Sequence, residues 1–133
     1  MTETIEISFK KEIKRKDISD LLITAFEGGV GYWCCITGHK KPDGNVPPDL
    51  SDVENWPHAW YPLLEGGEIH LDEEYDGKMV KKHVLDLTRI RLGLALMANK
   101  YPRHFADFID ENYDATTADV FLQCCVLGDI VYG

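Results

Sequence analysis

The stretch Glu68-Ile69-His70-Leu71-Asp72-Glu73-Glu74-Tyr75-Asp76-Gly77-Lys78-Met79-Val80-Lys81-Lys82-His83-Val84-Leu85 reads as a β-hairpin and decides the fold class. Ile69 and Leu71 lie on one side of the turn and Met79, Val80 and Val84 on the other. Between them sits Asp76-Gly77, a pair that readily adopts the left-handed conformations a two-residue hairpin turn requires. A hairpin makes the pairing antiparallel. Helices clustered around such a sheet give an α+β arrangement rather than an alternating parallel one.

Working outward, Asp86 is placed to cap a helix whose apolar positions Leu87, Ile90, Leu94, Met97 and Ala98 keep helical spacing. Pro102 suits a first helical turn and opens a short helix with Phe105, Phe108 and Ile109 inward. A last helix begins near Thr116 or Thr117, buries Phe121, Leu122, Cys125 and Val126, and stops at Gly128. Asp129 to Tyr132 then reads as a short closing strand. Upstream, Thr4 to Lys10 alternates Ile5, Ile7 and Phe9 with polar residues, the period of a half-buried strand. Asp17 is the expected N-cap of a helix carrying Ile18, Leu21, Leu22, Ala25 and Phe26, which Gly28 and Gly29 end. A strand over Val30 to Ile36 follows. The sum is one α+β domain over residues 1–133, a mainly antiparallel sheet of about five strands with about four helices packed on one face.

Residues 38–67 differ in kind. They hold Pro42, Pro47, Pro48, Pro57 and Pro62 and the turn signal Asp43-Gly44, which predicts a long loop. They also hold Trp56, Trp60 and Tyr61, which favour a segment folded over the core as a lid.

The 133 residues suit one domain. Their net charge of −9 disfavours direct nucleic-acid binding, because such a surface repels phosphates. It suits either plain solubility or a basic partner, including a nucleic-acid-binding protein. No apolar run approaches the ~20 residues that cross a bilayer, and the start MTETIEISFKK has no apolar signal core. The expected setting is therefore cytoplasmic, where Cys34-Cys35 and Cys124-Cys125 stay reduced and largely buried.

Two blocks carry a resemblance. Ile23-Thr24-Ala25-Phe26-Glu27-Gly28-Gly29-Val30-Gly31-Tyr32-Trp33-Cys34 is one. Lys100-Tyr101-Pro102-Arg103-His104-Phe105-Ala106-Asp107-Phe108, continuing through Asp114-Ala115 to Gln123-Cys124-Cys125-Val126-Leu127-Gly128-Asp129-Ile130-Val131-Tyr132-Gly133, is the other. Both resemble small proteins encoded by bacteriophages and prophages, a group without an assigned function. The likeness spans roughly half the chain and none of 38–67. It implies a phage accessory protein made inside a bacterial cell, of a kind that acts by binding a host defence protein or a signalling nucleotide. No catalytic residues come with it.

Nucleophilic catalysis needs a thiol or hydroxyl beside a base, and Cys34 or Cys35 with His39 is the local candidate. His39, His58, His70, His83 and His104 are scattered without metal-ligand spacing, although His70 and His83 could meet across the hairpin. Glu27-Gly28-Gly29-Val30-Gly31 follows a helix, whereas phosphate loops precede one. Arg89, Arg91 and Arg103 could receive an anion, and with Tyr32, Trp33 or Trp60 stacking on a base they would form a nucleotide pocket. The plainer reading pairs these arginines with Asp86, Asp107, Asp110 or Glu111.

The expectation is thus a non-enzymatic protein, with no cofactor or metal, that binds and blocks a host factor as an anti-CRISPR-like counter-defence inhibitor. The alternatives are a sponge for a nucleotide-derived signal and a structural accessory protein. The arrangement leaves room for a homodimer.

Overall fold

A computed structural model describes residues 2–133. The chain is α+β, with a three-stranded antiparallel sheet in the order β1-β2-β3. The strands are β1 (Cys34–Lys40), β2 (Glu68–Tyr75) and β3 (Lys78–Leu85). The helices are α1 (Arg15–Thr24), the single turn α2 (Pro57–Trp60), α3 (Leu87–Lys100), α4 (Pro102–Ile109) and α5 (Ala115–Val126).

The hairpin forms as read. Asp76 and Gly77 both have positive φ, 55° and 75°, which matches the right-handed twist of the flanking strands. The register sets Ile69 opposite Leu85 and Leu71 opposite His83. Ile69, Leu71 and Leu85 are buried beneath the helices, as is Glu73, while His70, Asp72 and Val84 are not. Asp86 caps α3 by accepting from the Arg89 amide at 3.0 Å. Asp114 caps α5 through the amides of Thr116 and Thr117, so that helix starts a residue or two earlier than its threonines suggest.

Helix α5 occupies the centre. It is buried around nearly its whole circumference, including Thr117 and Gln123, as a helix apolar on all sides must be. Helix α3 crosses it at Gly93, where an added Cβ would fall 2.2 Å from Cys125 Sγ and 2.7 Å from Cys125 Cα. Only glycine allows this approach.

The sheet has three strands rather than about five, and five helices, one of them a single turn, stand where about four are expected. Three strand expectations are corrected. Thr4 to Lys10 forms no strand: residues 2–14 carry no regular element, and Ile5, Ile7 and Phe9 are 92%, 78% and 80% exposed. A period-two pattern records a capacity to pair, and no strand of this chain lies alongside to pair with it. Asp129 to Tyr132 is not a strand either, because a side chain takes the place of a ladder. The Gln123 Oε1 accepts from the Val131 and Tyr132 amides at 2.8 and 2.9 Å, and its Nε2 donates to the Tyr132 carbonyl at 3.1 Å. The third correction concerns Val30 to Ile36. Helix α1 runs on through a wide turn, Ala25–Gly29, so the ladder starts only at Cys34 and continues to Lys40.

Residues 48–63 are helical turns rather than a long loop. Pro48, Pro57 and Pro62 each open one, at Pro48–Val53, Pro57–Trp60 and Tyr61–Leu63. Proline's fixed φ and missing amide suit a first turn. Leu50, Val53, Trp60 and Leu63 from this segment join the core.

Candidate binding groove

The six residues read from sequence as a nucleotide pocket are not brought together. Trp33 is fully buried; its Nε1 donates to Asp119 Oδ1 at 2.8 Å, and its ring stacks on Tyr132 at 5.8 Å. Tyr32 is half-exposed and donates to the same carboxylate at 2.5 Å. Burial, followed by that hydrogen bond, pushes the Tyr32 phenol up to about 12. Trp60 is buried elsewhere, donating to the Glu54 carbonyl at 3.1 Å and packing edge-on against Tyr61. Neither Trp33 nor Trp60 offers a free indole face to a base. Arg89 and Arg103 lie exposed on α3 and α4. Arg91 approaches Glu65 at 3.9 Å, and Asp86, Asp107, Asp110 and Glu111 form no ion pair with these arginines among the described residues.

The reactive groups are equally dispersed. Cys35 donates to Glu74 at 3.3 Å, while His39 lies edge-on to Tyr61, so no thiol–imidazole pair forms. Burial, then the neighbouring Cys35 and Glu74, pushes the Cys34 thiol up to about 12. Burial pushes Cys124 to about 11 and Cys125 well above its ordinary value. Such thiols stay protonated and unreactive at neutral pH. His70 stands opposite Val84 rather than His83, one position out of step and on the other sheet face. His83 Nε2 instead sits 2.8 Å from Glu73 Oε1, whose partner oxygen accepts from Tyr132 at 2.5 Å. Among the described residues no three His, Cys, Asp or Glu side chains are grouped to hold a metal ion. No helix among them is long and apolar enough to cross a membrane.

What the structure does present is a groove. A cavity of about 800 Å³ opens between α1, α3, α4 and the extended residues 2–13, which from here on we call the arm and which line it from Ile7 onward. Its floor and walls are apolar: Ile18, Leu63, Ile90, Leu94 and Phe105, with the small side chains of Ala95 and Ala98 leaving the width. Lys11, Arg15 and Arg91 stand around it against one carboxylate, Glu65. Arg91 faces Glu65 at 3.9 Å, which leaves Lys11 as the cation at the edge that forms no ion pair among the described residues. Arg15 is committed to Asp49 through two hydrogen bonds, at 2.8 and 3.0 Å. Such concavities, apolar with a few polar groups at the edge, are what bound molecules and peptide segments occupy.

Of the six residues, only Arg91 borders the groove. The residues that do line it escape the sequence reading because the same stripe that packs the core also lines the groove: Ile90 and Leu94 face inward, while Ala95 and Ala98 lie one step round the helix. The available signal was an apolar arc on α3 wider than one buried face needs, since Leu92, Ala95 and Leu96 extend it. Comparison with protein-family models, with curated proteins and with solved structures gives no match to this chain.

Proposed function

We propose that the chain is a non-enzymatic binding protein that holds and blocks a partner protein, with the groove beside α3 as its contact surface. The observation that carries this is the open apolar concavity of about 800 Å³ with cations at its edge. In support, the buried thiols are held protonated, and His70, His83 and His104 are hydrogen-bonded to Glu68, Glu73 and Thr117. An apolar segment flanked by acidic residues is the fitting occupant, because it buries carbon against Leu94 and Phe105 and meets Lys11 and Arg91 at the rim. The phage-like blocks at 23–34 and 100–133 supply the setting of this reading: a counter-defence protein acting on a bacterial host factor in the cytoplasm.

The test is capture from bacterial lysate at low salt, comparing the native chain with Ala95→Arg, which fills the groove from an exposed position. Stoichiometric retention of one protein by the native chain, lost in Ala95→Arg and kept in Lys78→Ala on the far hairpin, is the expected result. Absence of any stoichiometric partner, or identical retention by Ala95→Arg, overturns the proposal.

A further inference from the structure

The arm and the outer strand of the sheet are complementary, and within one chain both go unused. Ile5, Ile7 and Phe9 alternate along an extended segment that forms no strand. Strand β3 lies at the edge of the sheet; its backbone pairs with β2 alone, and Met79, Val80 and Val84 are exposed. From Lys81 to Leu85 its register is unbroken, whereas the opposite edge, β1, is interrupted between Ile36 and Gly38. An open edge of this kind is a template for another strand. Its charge decides which. Lys78, Lys81 and Lys82 oppose the pairing of two β3 strands with each other, since like charges would stand face to face. The beginning of the chain offers the opposite sign, with Glu3 and Glu6 set among its apolar residues.

We propose that residues 3–9 of a second copy add to β3 as a fourth strand, and that the first copy returns the same segment to the second. The outcome is a closed two-fold dimer with exchanged arms. The exchange satisfies two edges and two arms with one symmetric contact, which leaves no free end to propagate into a fibre. Within its own chain the arm does not follow β3: Ile7 and Phe9 border the groove with Leu94 and Phe105. Exchange takes the Ile7 and Phe9 wall from the groove and leaves the walls of α1, α3 and α4, and the dimer does not rest on the partner-binding reading.

The test is the mass in solution of the full chain over a dilution series, by light scattering after size exclusion, with hydrogen exchange of the amides of residues 4–9. The expected result is a species of twice the 15.1 kDa chain mass, with those amides protected, that dissociates on dilution. Ile5→Glu with Ile7→Glu, both at exposed positions, gives a monomer with unchanged circular dichroism. Lys81→Glu with Lys82→Glu weakens the dimer at least about tenfold, equivalent to ~1.4 kcal/mol, and adding Glu3→Lys and Glu6→Lys restores it. A native chain that stays monomeric at all accessible concentrations overturns the inference. So does a monomer with protected arm amides, which would place the strand on its own sheet. A dimer that survives the arm substitutions or ignores the charge exchange overturns it as well, since its interface lies elsewhere.

Discussion

The two ends of the chain are built in opposite ways. Residues 129–133 have no regular structure, yet nearly every polar group near them is committed. Gln123 holds their backbone, Tyr132 donates to Glu73, and Lys100 and Tyr101 both bond Asp129, whose carboxyl they hold down at about 2. Residues 2–13 have the stronger strand signature and almost no partners. Regularity in a sequence and commitment in a fold are thus separate properties. A segment joins the core when specific groups are waiting for it, and an apolar pattern without them is left free for another molecule.

That contrast can be broken most severely at its centre. Gly93→Ala places a methyl inside the α3–α5 contact, where the nearest atoms include Cys125 backbone, and is expected to cost about 3 kcal/mol in urea unfolding. Next is Asp119→Ala. It strips the partner from the buried Trp33 indole N–H and from Gln123 Nε2 together, for a loss of roughly 2 kcal/mol and a shift in tryptophan emission. Smaller again is the contribution of Glu73. Burial pushes its carboxyl up, but hydrogen bonds from Tyr132 and His83 outweigh this and hold it below the ordinary range. Its contribution is therefore complete above the unfolded-state value of roughly 4.3 and disappears as pH falls through the depressed native one. Glu73→Gln should cost about 1 kcal/mol at neutral pH, and the two proteins should converge in stability in acid. The smallest effect belongs to the other end. Ile7→Lys should change the unfolding free energy of the dilute monomer by less than about 0.5 kcal/mol, as substitutions at exposed sites do. A larger loss would mean that the arm is part of the core after all.

Signals that act over a few residues were legible. Asp76-Gly77 specifies its turn, Asp86 its cap and Pro102 its helix start, because each works through neighbouring backbone. The same local logic misjudged 48–63, where prolines that open short helices resemble prolines that fill a loop. Long-range replacements were not legible. Nothing near Asp129 announces that Gln123 will stand in for a strand, and nothing near Thr4 announces that its pattern has no partner. The groove shares that difficulty: it is a space between α1, α3, α4 and the arm, and Ala95 and Ala98 matter for the volume they leave empty. The aromatic residues chosen as a ligand site were conspicuous for composition. Trp33 and Trp60 are core residues with satisfied indole N–H groups.

Because Gly93 leaves no slack between α3 and α5, a side chain added at that position must displace the central helix. The far face of that helix grips the Trp33–Tyr132 ring pair through Asp119 and Gln123. The Trp33 indole therefore becomes an optical gauge of how the central helix is seated, once the emission of Trp56 and Trp60 is removed by substitution.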